Sequence, residues 1–292
     1  MVEEKIEIVE EKEETSVPET VAVETPESKE VTKEVTKEAK TDNKTGNRGR
    51  SRYQEQEENA LENWKPKTEL GRKVKSGEIT DIEDIFASGE KILESEIVDI
   101  LLPNLTTDLL LIGQAKGKFG GGQRRIFRQT QKKTREGNRI KFATCALVGN
   151  KNGYVGVAFG KSKETVPARD KSIRKAKLSL IKVRRGCGSW EGVADFNSIP
   201  FAVEGKCGST IITLMPAPKG TGLCVEKECA KILDTAGIKD VWSKTKGQTK
   251  TKVNLIKACI EALKKLSEVK IQARHVESLG VQDGKVKVGS EE

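Results

Sequence analysis

The stretch from 124 to 185 decides the fold, because strand and helix patterns follow one another within it. It opens RRIFRQTQKKTREGNRIKF (124–142), continues ATCALVGNKNGYVGVAFGK (143–161) and closes SKETVPARDKSIRKAKLSLIKVRR (162–185). Side chains two residues apart lie on the same side of a strand. One side of the middle strand therefore holds Ile140, Phe142, Thr144, Ala146 and Val148. The pattern predicts three strands followed by one helix.

A tight turn and a return strand are predicted after the middle strand. Asn152-Gly153 supplies the positive φ angles that a two-residue hairpin turn needs. The return strand is Tyr154–Phe159, in which Gly156 leaves room for another backbone or for a bulge. The helix is expected to begin near Glu164, with Pro167 in its first turn. Its predicted apolar face holds Val166, Ile173, Ala176 and Leu180.

Cations surround this predicted sheet and helix. Before the turn they are Arg124, Arg125, Arg128, Lys132, Lys133, Arg135, Arg139 and Lys141. On the helix face opposite the apolar residues they are Lys171, Arg174, Lys175 and Lys182. A sheet capped by a helix and lined with cations indicates a platform for phosphate groups. The alternative is a solvated charged surface on an ordinary α+β domain.

The net charge of +9 is unevenly distributed along the 292 residues. Residues 1–42 contain 14 acidic and 6 basic side chains, a net charge of −8, so the other 250 residues carry +17. A body this basic indicates a nucleic-acid or other anionic partner. Residues 1–60 have almost no large apolar side chains, so we expect an acidic, disordered tail.

The remaining patterns predict a helical segment, a basic loop and a second α/β domain. Residues 113–125, GQAKGKFGGGQRR, read as a mobile basic loop, whereas Leu109–Ile112 fit either a strand or a helical turn. Short helices are predicted between 82 and 103. The second domain is predicted to contain strands at 201–204, 209–215 and 238–243, with a turn at 205–208. Its predicted helices are 225–236, which stops at Gly237, and 253–266, with a cationic loop at 244–252 between them.

Motif tests exclude several classes of chemistry. Gly160-Lys161-Ser162 follows a strand, but a phosphate-binding loop needs a glycine where Val155 stands. The six cysteines form no C-x-x-C pair, and no hydrolase or metalloprotease signature is present. We therefore expect no enzyme, no cofactor and no metal. No stretch is apolar enough for a membrane span or a signal peptide, so a cytoplasmic protein is expected.

Four stretches together resemble the fifth protein of the small ribosomal subunit, in its archaeal-type version. They are VGNKNGYVGVAFGKSKETVPA (148–168), IRKAKLSLIKVRRGCGSWE (173–191), PFAVEGKCGSTIITLMPAPKGTGL (200–223) and AGIKDVWSKTKGQT (236–249). The resemblance covers about residues 95–266, with its motifs in the family's order and spacing.

The resemblance implies an α+β fold with two family domains. The first is similar to a double-stranded-RNA-binding domain, a three-stranded antiparallel sheet plus a helix, and the second is an α/β domain with a left-handed crossover. Together with the composition of the tails, the resemblance predicts a disordered tail and basic linker at 1–75, a helical segment at 76–117, the RNA-binding-like domain at 118–185, a linker at 186–198, the C-terminal domain at 199–270 and a flexible tail at 271–292.

The resemblance also implies a structural, rRNA-binding component of the small subunit. It would lie near the path by which mRNA enters and near the decoding region, and it would contribute to translational accuracy. Its partners would be small-subunit rRNA, the third and fourth small-subunit proteins and, near that path, mRNA. The family loop that reaches an RNA junction matches Gln131–Arg139, and the contact with the fourth protein matches Gly220, Thr221 and Gly222.

The predicted RNA-binding residues combine this loop with the cations elsewhere. They are Arg124, Arg125, Arg128, Lys132, Lys133, Arg135, Gly137, Asn138, Arg139, Lys151, Asn152, Lys161, Lys163, Arg174, Lys175, Arg184, Arg185, Lys244, Lys246 and Lys250. A free-standing RNA-binding regulator is the alternative function.

The chain departs from the family pattern in three places. Residues 192–197 lack the cysteines and histidine that archaeal relatives usually carry there, so a metal site at Cys187 would lack ligands. Glu226-Lys227 replace small residues near the start of a helix, which leaves the protein contact there open. Residues 113–125 look like an insertion.

Overall fold

Helices and strands are mixed along the chain and build two main sheets. The computed structural model describes residues 63–115, 117, 122–188, 196–272, 274, 276 and 280–285. All of these except Asn63 belong to one compact unit, Trp64–Glu292. The predicted acidic tail lies outside the described residues.

Six helices occur in the described part of the chain. They are α1 (Glu69–Ser76), α2 (Ile82–Ser88), α3 (Ser95–Leu101), α4 (Thr165–Leu178), α5 (Lys227–Thr235) and α6 (Lys252–Glu268). The strands are β1 (Thr106–Leu110), β2 (Arg128–Thr134), β3 (Gly137–Gly149), β4 (Tyr154–Ser162), β5 (Leu180–Lys182), β6 (Arg184–Arg185), β7 (Val203–Cys207), β8 (Thr210–Pro216), β9 (Leu223–Cys224), β10 (Val241–Lys246) and β11 (Gln282–Asp283). The predicted α+β class is confirmed.

The first sheet is built on the 13-residue strand β3. Strand β4 pairs with one edge of β3, while β1 and β2 share the other edge: β1 pairs with residues 145–149 and β2 with residues 137–143. Strand β5 extends the sheet beyond β4. The three predicted strands and their helix are confirmed, and 109–110 are part of a strand rather than a helical turn.

The turn between β3 and β4 differs from the predicted two-residue hairpin. It contains four residues, and the positive φ angles fall on Lys151 (57°) and Gly153 (87°), not on Asn152. The side chain of Asn150 accepts a hydrogen bond from the Asn152 N–H at 2.8 Å. The N–H groups of Lys151 and Gly153 donate to carbonyls at the end of α5, at 2.9 and 3.0 Å. The longer turn therefore supplies partners for the orphan carbonyls of that helix.

Helix α4 packs on the first sheet through small residues rather than through large apolar ones. Its buried residues are Ala168, Ser172 and Ala176. Val166, predicted on the apolar face, is 65% exposed, because small residues occupy the side of the helix that approaches the glycines of β4. A Cβ at Gly156 would lie 2.2 Å from the carbonyl oxygen of Ala176. Gly156 therefore leaves room for another backbone, the first of its two predicted roles.

The second sheet has the strand order β7-β8-β10-β9 and packs on α5 and α6. Strand β10 pairs antiparallel with β8 and parallel with β9. Two predicted boundaries are wrong. Strand β7 runs through the predicted turn at 205–208 as far as Cys207, because Gly208 (φ 62°) makes the turn. Strand β10 runs into the predicted cationic loop as far as Lys246, where it still pairs with β8.

Ordered structure begins earlier than Thr80 or the predicted boundary at 75. Helix α1 begins after Thr68, whose side chain accepts a hydrogen bond from the N–H of Gly71. The Glu94 carboxylate accepts hydrogen bonds from Thr68, Lys67 and Trp64. Burial alone would raise the pKa of Glu94, but these donors lower it. Leu70, Val74, Ile85 and Ile97 form a small buried cluster that packs the three helices of this segment together.

The C-terminal segment returns to the body instead of fraying throughout. Strand β11 pairs antiparallel with β6, which lies at the end of the first family domain. The Arg184 guanidinium lies 2.5 Å from the Asp283 carboxylate and donates to the carbonyl of Val269 at 2.6 Å. The predicted flexible tail at 271–292 is therefore wrong for 280–285.

Candidate nucleic-acid interface

The predicted RNA-contacting loop is a paired β-hairpin. Residues of β2 and β3 lie opposite one another as far as Thr134 and Gly137, so only Arg135 and Glu136 are unpaired. Gly137 has a φ of 107°, which glycine adopts readily. The side chain of Thr134 donates to the carbonyl of Gly137 at 2.8 Å. A rigid hairpin therefore replaces the loop that was predicted over 131–139.

One side of this hairpin collects cations from three strands. Residues opposite one another on neighbouring strands point to the same side, and Lys132 is opposite Arg139, while Thr130 is opposite Lys141. Lys161 of β4 is opposite Ala143 on that side. We call this surface the hairpin face; its cations are Arg128, Lys132, Arg139, Lys141 and Lys161. Lys133 and Asn138 lie on the other side.

Like charges face each other on the hairpin face. Lys132 and Arg139 are directly opposite, an arrangement that destabilises a free sheet. Glu136 forms an ion pair with Arg139 at the turn, but both side chains are more than half exposed. The repulsion that remains would be relieved by an anion between the strands.

The same side of the sheet is buried at its other end, against the C-terminal domain. Cys145 and Leu147 lie two and four residues beyond Ala143, and both belong to the core that includes α5 and α6. Burial raises the pKa of Cys145 to about 12. The Lys257 ammonium of α6 lies 5.5 Å from the centre of the Phe159 ring on this side. Packing of the domains thus places a cation from α6 beside the hairpin face.

A shallow cleft continues the hairpin face towards the start of α4. Its lining residues are Lys141, Lys161, Ser162, Lys163, Glu164 and Pro167. Three of these are lysines against one glutamate, and Glu164 and Pro167 belong to the N-terminal end of a 14-residue helix. Both features favour an anion in the cleft.

A second basic group connects the base of the 113–125 segment to the C-terminal domain. Arg124 donates to the carbonyl of Lys250 at 3.2 Å and to that of Gly113 at 3.4 Å. Residues 115 and 124 form an isolated antiparallel bridge, so the described base of this segment is closed. The predicted residues Arg124 and Lys250 therefore lie together, although they are far apart in sequence.

Arg185, one of the predicted RNA-binding residues, is buried in the structure. Its side chain is only 4% exposed, and it donates to Asn152 Oδ1 at 2.7 Å and to the carbonyl of Gly284 at 2.9 Å. Burial lowers its pKa. Arg184 is engaged with Asp283, as described above. Arg184 and Arg185 thus contact the returning C-terminal segment, and Asn152 accepts a hydrogen bond from Arg185.

The other predicted residues are solvent-facing in the structure. Lys151 lies 3.8 Å from Asp234 in an exposed ion pair. Arg174 and Lys175 lie on the outer side of α4, and Arg125, Lys133, Arg135, Lys163, Lys244 and Lys246 are also exposed.

The predicted protein-contact loop is held by a buried carboxylate. Gly220 and Gly222 have φ angles of 87° and 74°. The N–H of Gly222 donates to the side chain of Asp240 at 2.7 Å, and that side chain also accepts from Asn197 at 2.7 Å. Thr221 donates through its hydroxyl to the carbonyl of Pro218. The loop is therefore a fixed protrusion rather than a loose linker.

Sequence reasoning missed two cations. Lys257 lies on α6, where the spacing of apolar residues indicates the buried side but not a cationic surface. Lys206 was assigned to a turn, but it lies on β7 opposite Ile211. The alternation of exposed and buried residues in β7 is the signal that would have placed it.

The chain matches known proteins over most of its length. The models described as ribosomal protein S5, N-terminal domain, and ribosomal protein S5, C-terminal domain, match residues 126–184 and 205–275. The small ribosomal subunit protein uS5 of Nanoarchaeum equitans is 47% identical over 227 residues, which are 77% of this chain and 97% of that protein. The chain belongs to the ribosomal protein uS5 family. The corresponding uS5 protein of Methanocaldococcus jannaschii is 45% identical over 227 residues, 77% of this chain and 98% of that protein.

The uS5 match confirms the family resemblance of the sequence motifs. The N-terminal family domain spans most of the first sheet and α4, and the C-terminal one spans the second sheet with α5 and α6. No group of three potential metal ligands occurs among the residues that the structure describes. None of the helices in that part is long and apolar enough to cross a membrane.

Proposed function

We propose that this uS5-family chain is a structural constituent of the small ribosomal subunit that binds its rRNA. The observation that carries the proposal is the match of both S5 domains, in order, within a 227-residue alignment to uS5 proteins. The role is structural and involves no catalysis. We place the chain in the cytoplasm, near the path by which mRNA enters and near the decoding region, where it contributes to translational accuracy.

The hairpin face is the proposed rRNA contact. Its cations project from paired strands, so the backbone positions that carry them are fixed before RNA binds. Lysine and arginine on such a surface contact phosphate oxygens, which orient the RNA without reading its sequence. A phosphate between Lys132 and Arg139 would relieve their repulsion. The lysines of the cleft at α4 extend the same contact.

The family also implies a fold for each of the two domains. We infer that β2, β3, β4 and α4 form a domain similar to a double-stranded-RNA-binding domain; their antiparallel pairing and the helix that follows support this. We infer for the C-terminal domain the left-handed crossover of the family. The acidic tail is proposed to be disordered and to point away from rRNA, since like charges repel.

The proposed neighbours are the third and fourth small-subunit proteins. The Gly220–Gly222 protrusion is the proposed contact with the fourth protein, because its backbone is held in place and its tip is exposed. Contact with mRNA follows from the proposed location.

Gradient fractionation of cell extracts tests the proposed function. The chain is expected in small-subunit and whole-ribosome fractions and should remain there after a high-salt wash, because many phosphate contacts and protein contacts act together. A free-standing RNA-binding regulator is the alternative function. It would leave the ribosomal fractions as salt rises, and recovery of most of the chain at the top of the gradient would refute the proposal.

A further inference from the structure

The second sheet has one covered face and one open face. Val241, Leu214 and Ile212 point towards α5 and α6 and are fully buried. The residues that alternate with them in β8 and β10 point to the opposite side, where the exposed positions of β10 include Trp242, Lys244 and Lys246. The open face therefore presents a large aromatic side chain to solvent.

Trp242 lies in an apolar row across three strands. It is opposite Met215 on β8 and Cys224 on β9, and the pairing places all three side chains on the open face. Trp242 is 44% exposed, and Cys224 is also exposed. Ser243, which points the other way, donates to the carbonyl of Cys224 at 2.9 Å and fixes β9 beside β10. The indole is thus presented on a rigid support.

Lysines occupy the rows beside Trp242 on the same face. Lys244 is two residues further along β10, and Lys246 is four residues further, about 7 and 13 Å along the strand. Lys246 and Lys206 are both opposite Ile211, so they flank it on one row. Glu204 is the one acidic residue among the paired positions of β7, β8 and β10 on this face. Three lysines against one glutamate make the surface complementary to an anion.

We propose that this open face binds single-stranded RNA, with one unpaired base stacked on Trp242 and the adjoining phosphates held by Lys244, Lys246 and Lys206. The inference rests on the proposed rRNA-binding function and adds a second site with a different ligand preference. An aromatic ring on an exposed sheet offers stacking to a base that is not already stacked in a helix. A duplex presents no free base face there, so the site selects unpaired nucleotides.

The contributions of base stacking and of charge to RNA affinity differ in their dependence on salt concentration. Stacking on an aromatic ring does not release counterions, so replacing Trp242 lowers affinity by the same factor at every salt concentration. Removing a lysine that contacts a phosphate instead reduces the slope of log affinity against log salt, by about 0.7 for single strands.

The test is binding of the full chain to a short fluorescein-labelled oligoadenylate across a salt series. Trp242→Ala is expected to weaken binding about 5- to 150-fold with an unchanged salt slope. Lys244→Ala/Lys246→Ala should reduce the slope by about 1.4. Val166→Ala, a matched loss of an exposed apolar side chain, should change neither quantity.

Two substitutions that keep a large apolar side chain distinguish loss of stacking from a folding defect in the alanine variant. Trp242→Phe keeps an aromatic ring and should retain most of the affinity, whereas Trp242→Leu should lose it while melting at the same temperature as Trp242→Phe. Equal affinity of these two variants would overturn the inference, and so would an effect of Val166→Ala as large as that of Trp242→Ala.

Failure of this inference is distinguishable from failure of the proposed function. Arg128→Ala/Lys132→Ala tests the hairpin face on a structured small-subunit rRNA fragment. If that variant binds the fragment more weakly while Trp242→Ala binds oligoadenylate normally, the open face is not an RNA site and the proposed function stands. If Trp242→Ala instead loses binding to a purified neighbouring ribosomal protein, the face contacts protein and the inference is overturned.

Discussion

Replacing Gly156 with alanine is expected to lower the free energy of unfolding by about 3 kcal/mol. The added Cβ would lie 2.2 Å from the carbonyl oxygen of Ala176, so α4 must move away from β4. Movement of α4 also uncovers the small cluster of Ala146, Val148 and Ala158 beneath it. The melting temperature, followed by circular dichroism, should fall by roughly 6–12 °C.

Gly117→Ala is the matched control for this prediction. A Cβ at Gly117 would meet no atom within 4 Å, and its backbone does not require a positive φ. Both substitutions reduce the entropy of the unfolded chain equally. Gly117→Ala should therefore melt at or slightly above the temperature of the natural chain. Equal melting temperatures for the two variants would show that α4 does not depend on the close approach at Gly156.

The triple substitution Arg128→Ala/Lys132→Ala/Arg139→Ala should weaken binding to a small-subunit rRNA fragment by roughly 100-fold at about 0.15 M salt. The estimate assumes that each cation neutralises one phosphate, which adds about 0.7–0.9 to the salt slope. The slope should therefore fall by about 2–2.7. Stability should not fall, because the substitution removes the like-charge pair Lys132–Arg139.

A control with the same change in net charge separates position from overall charge. Arg72, Lys73 and Lys91 are exposed cations in the N-terminal helical segment, away from the first sheet's strands. Their replacement by alanine should reduce affinity by a few-fold at most and leave the slope nearly unchanged. If the two triple variants bound the fragment equally, the hairpin face would not be a localised rRNA contact.

Helices and strands were predicted correctly where apolar residues recur with a single helical or strand period. The alternation along β3 predicted a strand, and the apolar spacing of α5 and α6 predicted each helix and its buried side. The stop at Gly237 follows from its φ of 84°. These features depend on residues close together in sequence. Family motifs extended the prediction to both domains, because they carry information that periodicity alone lacks.

The wrong predictions concern contacts between residues far apart in sequence. Val166 was placed on the buried face of α4, but glycines on β4 bring the helix so close that small residues face the sheet. Arg185 resembles the other cations of the sequence, and its burial follows from contacts with distant residues such as Gly284. The two sides of the hairpin likewise emerge only from the register of β2 with β3.

Burial of Tyr154 illustrates how these distant contacts also set side-chain chemistry. Its ring stacks on Phe86 at 5.9 Å between centres, and its hydroxyl donates to Glu83 at 3.1 Å. Burial raises the pKa of this hydroxyl, and the Glu83 carboxylate raises it further. The sequence placed Tyr154 on a strand, but the helix that covers it comes from about 70 residues earlier in the chain.

Ultraviolet crosslinking of the full chain to RNA in living cells tests the central claim most directly. The crosslinked RNA is sequenced, and the crosslinked peptides are identified by mass spectrometry. The account predicts small-subunit rRNA as the dominant RNA and peptides from the hairpin, residues 128–141, as a major contact. Crosslinks that lie mainly on other cellular RNAs, or that avoid the hairpin while occurring elsewhere on the chain, would contradict it.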